Sequence, residues 1–168
     1  LLDLLRPKEL VTIHGDLHFQ NILISSDTDT GFILVDPRGE INGSDIYYDI
    51  GKLWHSFHAK YDFIHSDQFK FDIKWDRDVP IANYKITNTL VENVYEEIYQ
   101  KFRHVILKYD YIKNDPNWEM KVLFAEASHL CSVSTFHINK TETPERAIVL
   151  YLIGVRLINE FFDKYINE

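Results

Sequence analysis

Cysteine is nearly absent from the 168 residues: Cys131 stands alone. One thiol cannot close an intrachain disulfide, and no cysteine cluster exists to hold zinc, so a reducing, cytoplasmic setting is the simplest expectation. Long apolar runs are missing too. None reaches the roughly 18 residues of a membrane span, and the longest candidate, Ala147 to Ile158, is broken by Arg156 and reads as a buried helix. No secretion signal is visible, because Asp3 interrupts Leu1 to Leu5 and no basic region precedes it. Basic residues are in deficit, 18 Lys and Arg against 26 Asp and Glu, for a net charge of -8. Such a chain repels nucleic-acid phosphate. The acidic excess fits a solvated surface, or a site for a cationic substrate. No internal repeat and no low-complexity segment occurs.

What is present is an ordinary globular composition, 45% hydrophobic and 26% charged, rich in Phe and Tyr. That suits one domain with a packed, mostly helical core. Leu1 to Leu5 reads as the end of a helix stopped near Pro7, and Val11-Thr12-Ile13 as a short extended run. Asn21 to Ser25 and Gly31 to Val35 are strand-like, with a polar turn between them, so a β-hairpin is expected. Pro37 to Asp45, with Gly39 and Gly43, reads as a loop. A helix is expected from Tyr48 to beyond Trp54, with Asp49 in the N-cap position. Phe63 to Val79 shows no clear period and reads as irregular. Thr87 to Tyr111 is expected as one long helix with Leu90, Val94, Ile98, Phe102, Val105, Ile106 and Tyr109 on its buried face. Asp115-Pro116 and Thr143-Pro144-Glu145 are start signals for two further helices. The expected class is α+β, mostly α, in a single domain: residues 1–46 hold a loop and hairpin, and 47–168 are helical.

The chemistry concentrates near the start. His14-Gly15-Asp16-Leu17-His18-Phe19-Gln20-Asn21 sets an acid and, five positions later, an amide. Asp36 follows the second strand, so the hairpin should bring Asn21 and Asp36 to the same end. Asp16 is the candidate base for a substrate hydroxyl. Asn21 and Asp36 supply the sparse oxygen set that magnesium accepts alongside phosphates and waters. His14 is expected to pack and hydrogen-bond to hold the loop. His18 either faces the phosphates or is a plain loop histidine. Asp49 either hydrogen-bonds the loop or merely caps its helix.

These residues carry a resemblance. His-Gly-Asp-Leu-His-x-x-Asn-Ile-Leu, an apolar strand ending in Asp36, and Tyr-Tyr-Asp-Ile-Gly-Lys-Leu from Tyr47 resemble the aminoglycoside phosphotransferase and choline kinase family, relatives of the protein kinases. The motifs span Ile13 to about Leu53. The resemblance implies the C-terminal lobe of a kinase-like fold, ATP with Mg2+, and the hydroxyl of a sugar, aminoglycoside or choline-like acceptor. It places Asp16 as base, Asn21 and Asp36 on magnesium, and Asp49 at the helix behind the loop. Phe19 stands where bacterial members often have Pro, and Pro37-Arg38-Gly39 follows Asp36. Residues 1–13 hold no Gly-rich strand pair and no lysine–glutamate partnership, so a nucleotide-covering N-terminal lobe is expected in a longer protein.

Two other readings compete. Gly15-Asp16-Leu17-His18 is similar to pieces of metallophosphoesterases, and His55 and His58 lie three apart on a helix, but no Asn-His pair or later Gly-His accompanies them. A non-catalytic pseudokinase or interaction domain is the third. The acceptor itself is not specified. Acidic residues after about position 50, among them Asp62, Asp67, Glu92 and Glu126, could bind amines, and Trp54, Trp75 and Trp118 could form an aromatic cage. Arg38 could meet an anionic group or pair with a loop carboxylate.

Overall fold

The structure, a computed structural model, describes residues 1–38, 43–138 and 144–166. Gly39 and Thr143, used above as loop and helix-start signals, lie outside the described residues.

After a one-turn helix α1 (Leu2–Leu5), the chain runs to the hairpin of β1 (Ile22–Ile24) and β2 (Phe32–Leu34), entered by a 3₁₀ turn at Phe19–Asn21. Ile22 pairs with Leu34 and Ile24 with Phe32, and the Val35 N–H donates to the Asn21 carbonyl at 3.0 Å. Antiparallel pairing thus places Asp36 beside Asn21, as the hairpin signals required. Val11 and Ser44 exchange both backbone hydrogen bonds, at 2.8 and 2.9 Å. This bridge ties the entry to the Asp16 loop to the entry of α2 (Ile46–Phe57).

Helices α2, α3 (Tyr61–His65), α4 (Thr89–Ile106), α5 (Asp110–Lys113), α6 (Trp118–Ile138) and α7 (Pro144–Tyr165) make up most of the rest. The molecule is α+β and mostly helical, with two separate two-stranded sheets. Central α6 packs on α7 along one side and on α2 along the other. Two apolar clusters result. One joins α3, α6 and α7 through Ile64, Leu130, Val149, Leu150 and Ile153. The other surrounds Trp54, which is fully buried against Phe57, Tyr99, Phe102 and Trp118. Within α6, buried Glu126 accepts from the His58 ring at 2.8 Å, so a carboxylate in the core has its partner.

Helices α2, α6 and α7 approach closely because of two glycines. A Cβ on Gly51 would lie 2.6 Å from the Ala125 Cβ, and one on Gly154 would lie 2.7 Å from the Cys131 Sγ. The next atoms met are backbone nitrogens of α6, at 2.9 and 2.8 Å, which cannot swing aside. Gly154→Ala should therefore cost about 1–3 kcal/mol through overpacking, despite alanine's better helix propensity. Urea denaturation checks this, and a variant as stable as the parent would mean the helices separate freely.

Three expectations need correction. Phe63 to Val79 is not irregular: it holds α3 and the strand β3 (Phe69–Asp76), which pairs with β4 (Val79–Ile86). The α4 helix ends at Ile106, and Leu90, Val94, Val105 and Tyr109 are exposed rather than buried. Its packing face is Tyr95, Ile98, Tyr99, Phe102 and Ile106, turned toward Trp54 by the aromatic contacts available there. The N-cap of α2 is Asp45, whose side chain accepts from the Tyr47 N–H, while Asp49 lies inside the first turn and serves another purpose.

Candidate active site

One face of α2 organises the Asp16 loop. Asp49, Lys52 and Ser56 fall at i, i+3 and i+7, hence on one side of the helix. Asp49 is buried and accepts two loop N–H groups, His14 at 2.5 Å and Gly15 at 2.8 Å. Ser56 Oγ accepts the Phe19 N–H at 3.2 Å. Between them, the Lys52 ammonium ion-pairs with Asp16 Oδ1.

The loop completes itself from within. Asn21 Nδ2 donates to the Asp16 carbonyl at 2.8 Å. His14 Nδ1 accepts the Asp16 N–H at 3.3 Å, which leaves Nε2 protonated to donate to the Val35 carbonyl at 3.0 Å. The Arg38 N–H donates to the His14 carbonyl at 2.9 Å. Gly15 adopts φ 80°, a left-handed turn that presents its own and its neighbour's N–H to Asp49. His14 and Asp49 thus act as loop holders, and Asp16, Asn21 and Asp36 are drawn to one end of the hairpin.

Burial pushes the Asp16 carboxyl up, but the Lys52 hydrogen bond and charge, with His18 and Arg38 behind them, hold it below the ordinary aspartate value. The Arg38 Nε lies 3.7 Å from Oδ2, and the His18 Nε2 3.9 Å from Oδ1. Burial in turn lowers His18, against the pull of Asp16. His18 is mostly buried, not a plain surface histidine, and its Nδ1 has no hydrogen-bond partner among the described residues.

Asn21 commits its amide N–H to the loop, so its Oδ1 is the atom left to ligate a cation. Asp36 is exposed at φ 55°, a left-handed conformation that costs a non-glycine residue energy and recurs at functional sites. An amide oxygen and a carboxylate, whose backbones the hairpin brings to the same end, are donor types that magnesium accepts while keeping waters and phosphate oxygens as its other ligands. Among the described residues no group of three His, Cys, Asp or Glu side chains converges to hold a metal ion. The two-residue set falls below that count and does not depend on it.

Other candidates do not assemble. His55 stacks on Tyr61 with centroids 4.4 Å apart, while His58 pairs with Glu126, so the two do not share a ligand. Trp54 and Trp118 are in the core cluster, whereas Trp75 is exposed on the β3–β4 hairpin, so no aromatic cage forms from them. Glu92 ion-pairs with Lys60 and Asp67 with Arg146. Burial pushes the Asp62 carboxyl up to about 6. Around the loop lie instead His18, His55, Tyr61 and His129, linked by ring contacts of 4.4–6.3 Å.

Sequence reasoning missed Lys52 and Ser56. The available signal was positional, since both share a helix face with Asp49. Comparison with known proteins adds nothing to this geometry: no family model, no curated protein and no solved structure matches the chain.

Proposed function

We propose that the chain is the catalytic lobe of an ATP-dependent phosphotransferase that acts on the alcohol group of a small molecule. The observation that carries this reading is the Asp16 loop itself. Asp49, Ser56, Asn21 and His14 together engage five of its polar backbone groups, as acceptors and donors, and so fix the loop that carries the Asp16 carboxylate. Packing alone requires no such network. Phosphoryl transfer does, because its catalysis is mostly positioning and charge neutralisation.

In this reading Asp16 accepts the proton of the acceptor hydroxyl as that oxygen bonds to the γ-phosphorus and the bond to the ADP oxygen breaks. Asn21 and Asp36 would hold magnesium, which when bound neutralises phosphate oxygens. In this reading a second lobe would cover the nucleotide, and the acceptor is a sugar, aminoglycoside or choline-like alcohol.

Calorimetric titration of magnesium-ATP into the full-length protein, with Asp36→Ala alongside, tests the metal half of the site. Affinity should fall by at least about 10–100-fold in the variant, as it does when a metal's supporting groups are removed. Equal affinity would remove Asp36 from the site. One observation favours a non-catalytic domain instead: the Asp16 carboxylate is already occupied by cations.

A further inference from the structure

The occupancy of Asp16 has a use if the phosphotransferase reading holds, and the inference below rests on that reading. We infer that Lys52, with Arg38 beside it, forms an anion site over the base that receives the transferred phosphoryl group. Lys52 is thereby a second catalytic residue.

The loop does not need Lys52 for its shape. Its backbone is fixed by Asp49, Ser56, His14 and Asn21, and by the Arg38 N–H. Among the described residues the Lys52 ammonium hydrogen-bonds the Asp16 carboxylate and no backbone group of the loop, so what its head group contributes there is charge. That charge is placed at a cost. The Lys52 residue is only 8% exposed, and an ammonium taken out of water must recover its hydration from partners. A hydrophobic residue at this point on α2 would have packed against the loop without that penalty.

The balance of charge points outward from the pair. Asp16 faces two permanent cations, Lys52 and Arg38, while the neighbouring Asp49 carboxylate is turned to the His14 and Gly15 N–H groups and Asp36 is exposed. The surrounding imidazoles do not change the count. His18 and His129 are both lowered by burial, His129 to about 4, and His55 is held neutral by complete burial with its Nδ1 unpartnered. Two cations that share one carboxylate, Lys52 buried and Arg38 exposed, can turn to an arriving anion without leaving the site. The anion that must come within reach of the base during transfer is the γ-phosphoryl group. Its loose transition state spreads charge over three equatorial oxygens that need a cation.

The step balances without a further reactant. The Lys52 Nζ leaves Asp16 Oδ1 for an oxygen of the γ-phosphoryl group and keeps all its protons. Asp16 Oδ1, now free, takes the acceptor hydroxyl proton. The acceptor oxygen–phosphorus bond forms, the phosphorus–ADP oxygen bond breaks, and ADP leaves. The base is released only as the phosphate arrives, so an empty site keeps its carboxylate closed to other donors.

The test uses the full-length protein and the acceptor that gives the fastest ADP release among a sugar, an aminoglycoside and choline. Lys52→Met should lower kcat by about 10²–10³-fold, the usual cost of removing one group that stabilises transition-state charge, while KM for magnesium-ATP moves less than about tenfold. Lys52→Arg should restore part of the lost kcat, because it restores the charge. Asp16→Asn runs in parallel, and thermal melting reports folding for all three. If Asp16→Asn is inactive and Lys52→Met keeps kcat within about threefold, Lys52 is structural and the inference falls while the phosphotransferase reading stands. If Lys52→Met loses activity only together with its fold, and folded Lys52→Arg shows no rescue, the inference falls as well. No Asp16-dependent transfer to any acceptor class would overturn both.

Discussion

Asp16→Asn is expected to abolish most phosphoryl transfer in the full-length protein, with turnover falling at least about 10²-fold, the low end for a lost general base. Asparagine is the informative substitution. It keeps an oxygen for the Lys52 ammonium, which alanine would leave buried without a partner. It also leaves the Asp16 backbone contacts to His14 and Asn21 in place. The loss should therefore appear in kcat with little change in melting temperature. The carboxyl's depressed pKa does not argue against this role. It keeps Asp16 ionised near neutrality, and a loose transfer asks more of the base's position than of its strength. Asp16→Ala should lose as much activity but also some stability, and the difference between the two melts measures what the Lys52 contact contributes. Full turnover in Asp16→Asn would sink the assignment of Asp16 as base.

That expectation could be written from the chain alone because its ingredients are local. Asn21 and Asp36 come together through a hairpin whose polar turn and apolar strands read directly from Ile22 to Leu34. The helices α6 and α7 are equally local, each with a start signal and a long apolar content. The second hairpin was not legible. Its two-residue turn is Arg77-Asp78, with Arg77 at φ 56° where glycine or asparagine would have announced it. Its alternation of Phe69, Phe71, Ile73 and Trp75 with Lys70, Asp72, Lys74 and Asp76 is present, but only its inner end, Phe69, Phe71 and Ile86, packs on the core, while Ile73 and Trp75 run out exposed.

Lys52 was hidden for a different reason. A lysine on an amphipathic helix ordinarily snorkels to water, and only the tertiary approach of the Asp16 loop decides that this one does not. Asp49 could be read either as a cap or as a loop partner, and the choice turned on Asp45, four residues earlier, taking the cap. The buried face of α4 failed on the same ground. Several apolar stripes are available on that helix, and the aromatic cluster around Trp54 selects the one with Tyr95, Ile98, Tyr99 and Phe102.

The buried histidines predict how the fold responds to acid. His129 and His137 are both lowered to about 4, and His55 well below its ordinary value, chiefly by burial. A group whose folded pKa lies below its unfolded value of 6.5 contributes stability that is complete above that value and is lost as pH falls toward the folded one. Between about pH 6.5 and 4 the unfolded chain takes up protons that these imidazoles refuse, so stability declines across that window. A shift of this size is worth at most about 3 kcal/mol per imidazole. His58 does not offset the decline. Glu126 raises it against the effect of burial, so its contribution is full below 6.5 and is lost only at higher pH. Asp62 does oppose it, because a carboxyl raised to about 6 favours the folded state once protonated. His18 and His65 are lowered by burial as well, and Asp45 and Glu126 are raised by it, so five imidazoles stand against three carboxyls; the depressed Asp16 and Asp115 add to the imidazoles' side, and the net slope remains downward with acid. His129, whose Nε2 meets the Tyr48 carbonyl at 3.0 Å, is the cleanest to remove, because asparagine can keep that donor. Urea denaturation from pH 7 to 4 should show the slope of stability against pH reduced in His129→Asn, by up to about 1.4 kcal/mol per pH unit for the one proton removed. Asp62→Asn should steepen it. A His129→Asn slope equal to the parent's would mean that His129 takes up its proton in the folded protein near 6.5, and that the ring cluster beside Asp16 is wetter than its burial implies.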